Sequence, residues 1–223
     1  YAYQTYGVFR TVYVYQGVRW LLVVLTSHLQ VQFLLLQEDL IQIKPITKGR
    51  RNASHQPSSE EGPHDERPEL RIEDFVRRHQ NLILLADKMN AACNTLTFTI
   101  LLFATLSICF FAVAAKASTE AADAITNYGA ILVIMMNLFI LCYCSQLLRS
   151  SSSGIALAAA NNLWYKGDMR YQSSMRFIIM RSQKPCSLTS LDWTPIDLVT
   201  FNKVLKTTWS YFSLASHMYD KRD

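Results

Sequence analysis

Residues 93 to 115 read CNTLTFTILLFATLSICFFAVAA and contain no charged side chain. A second uncharged run, YGAILVIMMNLFILCYCSQLL, covers residues 128 to 148. Each meets the roughly 20 residues that a helix needs to cross about 30 Å of hydrocarbon. The alternative, two buried core helices of a soluble domain, is weaker because uncharged helices of this length are uncommon in soluble cores. The two runs predict an all-α, polytopic membrane helical bundle.

A third candidate span, residues 6 to 36, lies near the start of the chain. Tyrosines crowd its entry, where amphipathic rings suit the headgroup boundary of a bilayer. Arg10, Arg19 and His28 interrupt its apolar run. A helix that faces protein and lines a cavity tolerates such side chains better than one surrounded by lipid. We therefore expect a transmembrane helix with a cytoplasmic extension over residues 1–45.

The final apolar segment of the chain is unusual because charged residues lie along it. Asp197, Lys203 and Lys206 must face protein or water, since a lipid-facing helix cannot hold them cheaply. The helix has clear start signals: Thr194 is the predicted N-cap, and Pro195 occupies the predicted first helical position. The end of the chain is therefore the first place to look for function.

This terminal span, residues 186–218, has two unlike faces. The positions on its polar side, which ends in two apolar residues, are Thr200, Lys203, Thr207, Ser210, Leu214 and Met218. One interpretation is a helix that lines an aqueous pore, with the level of Leu214 and Met218 as a constriction that gates by dewetting. The other is a helix that buries its polar side against its own bundle. The helical pattern leaves both open.

The basic residues predict the orientation. Eight Lys and Arg residues lie between positions 44 and 78, and six lie between positions 149 and 184. Cytoplasmic loops carry an excess of Lys and Arg, so both regions are expected in the cytoplasm. The loop at 117–127 and the C-terminal residues 219–223 are then extracellular. The net charge of +5 follows from this topology, and nucleic acid is not an expected partner.

The first basic region contains a predicted flexible loop, residues 46–68. The loop has almost no apolar side chains and holds three prolines, so nothing in it offsets the entropy of ordering. Asn52 begins a glycosylation acceptor sequence, but the predicted orientation places it on the cytoplasmic side.

The remaining cytoplasmic residues predict a helical anchor below the membrane. Apolar residues recur at helical spacing from Ile72 to Met89, and no helix breaker separates them from the uncharged run that follows. A single helix over residues 69–116 would be about 70 Å long, so its first half must leave the bilayer. Within the anchor segment 149–185, Ser150 to Ser153 predict a polar turn, and residues 154–180 predict two short helices broken around Gly167.

The C-terminal part of the chain carries a specific set of motifs. They are Met180-Arg181-Ser182-Gln183-Lys184-Pro185, Leu188-Thr189, Phe201, Val204-Leu205-Lys206-Thr207 and Ser210-Tyr211-Phe212, with Leu157-Ala158, Asn162 and Trp164-Tyr165 upstream. Their order and spacing resemble the C-terminal signature of insect odorant receptors. The resemblance extends over the whole chain, from the fourth to the seventh transmembrane helix, which makes the chain a C-terminal portion. The short cytoplasmic loop is similar to that of a tuning, odorant-binding subunit rather than the co-receptor.

The resemblance implies a seven-helix receptor of olfactory sensory neurons, multi-pass in the plasma membrane, with a cytoplasmic N-terminus. Family members are odorant-gated, non-selective cation channels that assemble as heterotetramers with a co-receptor. Their subunits meet in the cytoplasmic anchor, and their seventh helices surround the pore. By this resemblance, the anchor corresponds to residues 34–46, 69–92 and 149–185, and the pore helix corresponds to residues 194–218.

Individual residues follow from the same resemblance. The odorant, a small volatile, is expected in the outer half of the bundle, in an apolar pocket with few polar groups. Positions at that depth are Tyr13, Gln16, Val18, Trp20, Tyr128, Ile131, Leu132 and Met135. For each of them, ordinary helix packing is the competing explanation. The candidate subunit anchor residues are Trp164, Tyr165, Arg181, Gln183, Lys184 and Pro185.

Other chemistry is not indicated by the sequence. The nucleotide loop, the HExxH motif and the nucleophile elbow are missing, so we expect neither an enzyme nor a cofactor. The five cysteines lack the spacing of a metal site and are expected to be packing residues. The alternative function is a chemoreceptor that signals through a G-protein type partner without conducting ions. The predicted external C-terminus argues against that class.

Overall fold

The structure is a computed structural model that describes residues 2–43, 72–191 and 194–220. The all-α prediction is confirmed, with one small hairpin of two two-residue strands as the exception. The elements are α1 (Ala2–Gln42), α2 (Ile72–Ala117), α3 (Ala121–Asn161), a short 3-10 helix (Trp164–Lys166), α4 (Met169–Ser182), β1 (Thr189–Ser190), β2 (Thr194–Pro195) and α5 (Leu198–Asp220). The predicted loop at 46–68, with Asn52, lies outside the described residues.

Three helices of the described part are long and apolar enough to cross a membrane. They are the Tyr13–Gln42 part of α1, the whole of α2 and the whole of α3. Along α2, large apolar side chains such as Phe103, Leu106 and Phe110 are exposed. Exposed apolar surface of this extent is normal where lipid or further helices cover it. These helices belong to a membrane protein.

The chain divides into two compact units, and α1, α2 and α3 each contribute to both. Unit 1 contains residues 1–27, 88–147 and 187–223. Its first buried cluster is formed by Ala104, Leu138, Cys142, Leu188 and Ile196. The second is formed by Leu22, Ile100 and Leu141. The uncharged runs seen in the sequence therefore contribute to both clusters, together with Leu22, Leu188 and Ile196.

Unit 2 contains residues 28–87 and 148–186. It buries apolar side chains from four helices, such as Phe33 of α1, Phe75 of α2, Ile155 of α3 and Met175 of α4. The buried positions on α2 recur at the helical spacing noted in the sequence, and the charged face is exposed. Burial of that stripe explains why the polar first half of α2 is an ordered helix.

Two predicted boundaries around α3 differ from the structure. The loop expected over residues 117–127 is shorter, because the helix already begins at Ala121, and the helix continues past residue 148 to Asn161. The predicted turn at Ser150 to Ser153 is helical as well. The hydroxyls of Ser152 and Ser153 donate to the carbonyls of Arg149 and Ser150 within α3. Serine is tolerated there because its hydroxyl bonds to its own helix.

The start of α5 also differs from the prediction. Thr194 and Pro195 form β2, which pairs antiparallel with β1 in the register Thr189 to Pro195 and Ser190 to Thr194. The helix begins after Asp197, whose carboxylate accepts a hydrogen bond from the Thr200 N–H at 2.8 Å. Asp197 is therefore the N-cap, and the carboxylate near the positive helix end stabilises it further.

Candidate functional site

The candidate pore helix α5 has one packed face and one exposed face. Phe201 and Val204 pack against the first cluster of unit 1. Lys203, Thr207, Ser210 and Leu214 are exposed, and Leu214 is 60% exposed. These four positions recur at three- and four-residue spacing, so they share one side of the helix. The face predicted as polar points away from the cluster that holds α5, and the Met218 side chain lies outside the description.

Thr200 departs from the predicted pore face. Its side chain is only 7% exposed, and its hydroxyl donates to the Pro195 carbonyl at 2.7 Å. Its N–H is held by the Asp197 cap. The residue lies in the first turn of α5, where orphan backbone groups and the preceding strand need partners. Thr200 therefore fixes the start of the helix and does not belong to the exposed face.

A side-chain contact attaches the hairpin before α5 to α2. The Asn90 Oδ1 accepts a hydrogen bond from the Thr189 N–H at 2.7 Å. The Thr189 hydroxyl lies 3.1 Å from the same oxygen and 2.9 Å from the Asn90 Nδ2. Both groups of one amide thus meet one threonine. This contact attaches the hairpin, which precedes α5 in the chain, to α2.

The structure does not gather the predicted odorant-pocket residues into one cavity of the described chain. Tyr13, Trp20 and Tyr128 are 73%, 48% and 59% exposed. Gln16 instead donates from Nε2 to the Asn137 Oδ1 at 3.0 Å, which joins α1 to α3. The others on α3 are half-buried, at Ile131 and Met135, or exposed, at Leu132. The aromatic candidates are therefore available to a partner outside the described residues.

Two cavities in unit 1 are lined mainly by other residues. The larger, of about 560 Å³, lies between α1 and α2 and is lined by Arg10, Val14, Tyr15, Val18, Leu96, Thr99 and Ile100. Only Val18 was among the predicted positions. The smaller, of about 380 Å³, lies between α2 and the hairpin and is lined by Phe98, Leu101, Leu102, Thr105, Ser190, Leu191 and Thr194. Both are open to the surface of the described chain rather than enclosed.

Polar contacts fix the segments of unit 2 that were predicted as the anchor. Asn162 donates from Nδ2 to the carbonyls of Leu40 at 2.8 Å and Ile43 at 3.0 Å. Its Oδ1 accepts from the Tyr171 hydroxyl at 3.2 Å. Burial raises the pKa of Tyr171 to about 12, and the Asn162 hydrogen bond opposes that shift. Tyr171 is therefore a neutral donor at physiological pH.

The predicted anchor residues lie at the edge of this unit. Trp164 and Pro185 are half-buried, whereas Tyr165, Gln183 and Lys184 are exposed. Arg181 is half-buried, and its guanidinium donates a hydrogen bond to the Lys184 carbonyl at 2.8 Å. The RSQKP run thus folds back on itself at the end of α4. Its exposed side chains remain free to meet another surface.

The cysteine after this run is enclosed. The Ser152 Oγ accepts from the Cys186 N–H at 2.9 Å and lies 3.4 Å from its carbonyl oxygen. Burial raises the pKa of Cys186 to about 11, the Asp87 charge adds to the shift, and Arg181 opposes it. The thiol is therefore protonated and behaves as a packing group. In the described ranges, no group of three or more His, Cys, Asp or Glu residues is placed to hold a metal ion.

Comparison with known proteins identifies the family. The sequence model of the family described as 7tm Odorant receptor matches residues 1–209. The chain belongs to the 7tm odorant receptor family. Odorant receptor 67c of Drosophila melanogaster is 30% identical over 146 residues, which are 65% of this chain and 36% of that protein. The putative odorant receptor 92a of the same species is 28% identical over 186 residues, 81% of this chain and 45% of the relative.

The fold of this odorant-receptor chain also matches a solved receptor. The structure of the insect olfactory receptor OR5 from Machilis hrabei in complex with eugenol superposes with a TM-score of 0.62 at 15% identity. The match covers 66% of this chain and 39% of that receptor. At this identity it shows the shared fold. The chain spans about a third to a half of the length of these relatives, which are receptors and not enzymes.

Membership in the odorant receptor family confirms the resemblance drawn from the C-terminal motifs. Sequence reasoning missed Asn90, Tyr15 and Thr99, although each gave a signal. Asn90 is a polar amide at the edge of an uncharged run, where an unpaired amide is costly. Tyr15 and Thr99 are polar groups inside spans, and the Tyr15 hydroxyl donates to the Ile100 carbonyl at 3.1 Å. The Tyr15 hydroxyl thus marks a contact between helices, whereas the Thr99 hydroxyl donates to the Thr95 carbonyl of its own helix.

Proposed function

We propose that the chain is part of an odorant-gated cation channel subunit, in which the exposed face of α5 lines the pore. The observation that carries the proposal is this face, with Lys203, Thr207 and Ser210 exposed while Phe201 and Val204 pack inward. A helix with exposed charges is costly against lipid and favourable beside water. Leu214 continues the same face as an apolar position, which suits a constriction that gates by dewetting.

One subunit supplies one wall of such a conduit, so the function requires further subunits. We infer a heteromeric channel with a co-receptor in the plasma membrane of olfactory sensory neurons, with an external C-terminus. The exposed side chains of α4 and the following turn, among them Phe177, Met180 and Gln183, supply a contact surface for the anchor. Apolar side chains ringed by polar ones are typical of protein interfaces.

The ligand is a small, largely apolar volatile. The relative from Machilis hrabei was solved with eugenol. In this chain the exposed rings of Tyr13, Trp20 and Tyr128 offer flat apolar surfaces with one polar tip each. Gln16, Ile131 and Met135 lie on the same two helices. We infer that these side chains meet the ligand together with receptor segments outside this chain.

The pore assignment is tested by cysteine accessibility in the full-length receptor expressed with its co-receptor. Thr207→Cys and Thr208→Cys are a matched pair, because the residues are adjacent and identical but differ in exposure, being about 100° apart around α5. Thr207 is exposed, whereas Thr208 is buried and its hydroxyl donates to the Val204 carbonyl. A charged, water-soluble thiol reagent should irreversibly change the odorant-evoked current of Thr207→Cys and leave Thr208→Cys unchanged.

The result that overturns the assignment is equal modification of both variants, or of neither, at wild-type surface expression. The same recordings separate the alternative class of receptor. Odorant-evoked current that persists under blocked G-protein signalling supports a channel. Its loss under that block favours a receptor that acts through a cytoplasmic partner.

A further inference from the structure

The contact between Asn90 and Thr189 lies between two functional parts of unit 1. Leu96, Thr99 and Ile100 of α2 line the larger cavity. Asn90 is six to ten residues away on the same helix, about 9 to 15 Å along its axis. The same cavity is lined by α1, the helix that carries the candidate ligand residues Tyr13, Gln16 and Trp20. A helix is stiff over two or three turns, so ligand contact with α1 that displaces α2 across this cavity also displaces Asn90. The amide transfers that movement to Thr189.

A short chain of hydrogen bonds continues from Thr189 to α5. Thr189 pairs with Pro195 across the hairpin, and the Ile196 N–H donates to the Leu188 carbonyl at 2.8 Å. The Pro195 carbonyl accepts from the Thr200 hydroxyl, and Asp197 caps the first turn. Leu188 and Ile196 are fully buried in the first cluster. The root of α5 therefore has little freedom to move independently of Thr189.

We propose that Asn90 is a positioning residue for gating, which couples α2 to the root of the pore helix through Thr189. The inference rests on the proposed channel function and goes beyond it by naming the joint. Asn90 touches neither ligand nor ion. Without its amide, the segment around the hairpin keeps only its apolar contacts with α2, and ligand binding opens the pore less efficiently. Odorant then acts at higher concentration and evokes less current for each receptor at the surface.

The test is a double-mutant cycle in the full-length receptor with its co-receptor, read out as the odorant concentration for half-maximal current. Asn90→Leu keeps the branched shape of the side chain and removes both polar groups, so it should raise that concentration about tenfold, as loss of one or two hydrogen bonds allows. Asn90→Asp keeps an oxygen for the Thr189 N–H and hydroxyl and should stay within about threefold of wild type. Thr189→Val removes only the hydroxyl and should fall between them.

The combination of Asn90→Leu and Thr189→Val should behave like Asn90→Leu alone, because the two changes break the same contact. Asn81→Leu is the matched control, since Asn81 is exposed on the same helix. A purely structural role would lower surface expression of Asn90→Leu without moving the half-maximal concentration. Independent, additive effects of the two substitutions, or an unmoved concentration in Asn90→Leu, overturn the proposal. Absence of any wild-type current would instead count against the proposed channel.

Discussion

Asn162 is the residue of unit 2 whose replacement has the most sharply defined consequence. It is 8% exposed and joins three elements, because its amide bonds to two carbonyls at the end of α1 and to the Tyr171 hydroxyl of α4. Asn162→Leu keeps the branched shape of the side chain and removes all three hydrogen bonds. The Leu40 and Ile43 carbonyls and the Tyr171 hydroxyl are then left facing an apolar side chain.

The magnitude follows from the three lost contacts. A typical hydrogen bond contributes about 1 kcal/mol net, and each buried group left without a partner costs about 1 to 3 kcal/mol. The carbonyls end a helix and regain part of that cost from water, so we expect Asn162→Leu to destabilise the receptor by about 3 kcal/mol. Tyr171→Phe removes a single contact and leaves the amide two others. Its expected cost is about 1 kcal/mol.

The two substitutions together give the decisive comparison. Once Asn162 is leucine, the Tyr171 hydroxyl has lost this acceptor, so Tyr171→Phe should become neutral or stabilising in that background. Thermal unfolding of the full-length receptor in detergent, followed by fluorescence-detected size exclusion, measures all four proteins. The neighbouring, exposed Asn161→Leu is the control. If Tyr171→Phe lowers the unfolding temperature equally with and without Asn162, the hydrogen bond is not what stabilises this joint.

Three further predictions use the same receptor preparations. Gly129→Ala meets nothing within 4 Å and should raise the unfolding temperature, because alanine is the better helix former. Gly154→Ala has the same propensity gain but should give a lower unfolding temperature than Gly129→Ala, because its Cβ would lie 2.7 Å from the Gln37 Nε2 and displace the hydrogen bond of that amide to the Ser151 carbonyl. Asp197→Ala should lower the free energy of unfolding by about 1 kcal/mol, because the N-cap of α5 is lost. Thr194→Ala should leave the cap intact, and faster hydrogen exchange at the first turn of α5 should occur only in Asp197→Ala. Cys186 should resist maleimide at pH 8, because its pKa is about 11 and its side chain is buried. The cysteine of Ser153→Cys, at an exposed position, should react. Labelling of Cys186 at a comparable rate would contradict its placement.

The helices of this chain were largely readable from its sequence, and their ends were less so. The uncharged runs and the amphipathic stripe at 72–89 are visible in the spacing of apolar residues, so α2 and the central part of α3 could be predicted from them. The start of α5 did not follow, because Thr194-Pro195 is also a good helix start and only pairing with Thr189 makes it a strand. Likewise, the serines at 150–153 resemble a turn until their hydroxyls bond within α3.

The candidate site was readable to a smaller extent. The exposed face of α5 followed from helical spacing, apart from Thr200, whose burial depends on the strand before it. The pocket positions stay a prediction, because a cavity depends on which helices are neighbours and not on depth in the membrane; of these positions, Val18 lines the cavity between α1 and α2. Tyr15 lines a cavity, whereas Tyr13 is exposed two residues away, and no periodicity in α1 separates them.

Threonine hydroxyls and three of the amides have different roles in this chain. The hydroxyls of Thr26, Thr97, Thr105 and Thr208 all donate to the carbonyl four residues earlier, so each is satisfied within its own helix. The amides of Gln16, Asn90 and Asn162 instead reach another element. An amide has two donors and an acceptor, and its own helix cannot satisfy them all.

This difference has a consequence for function. A threonine in a membrane helix needs no neighbour, so it can face lipid, protein or water without fixing the structure. An amide in the same position is costly unless a specific partner is present, so it determines which elements stay together. Joints between moving parts are therefore expected at amides. Of the three amides named above, Asn90 alone connects a helix that lines a cavity to the segment that precedes the candidate pore helix. Ligand and pore are therefore expected to be coupled at Asn90.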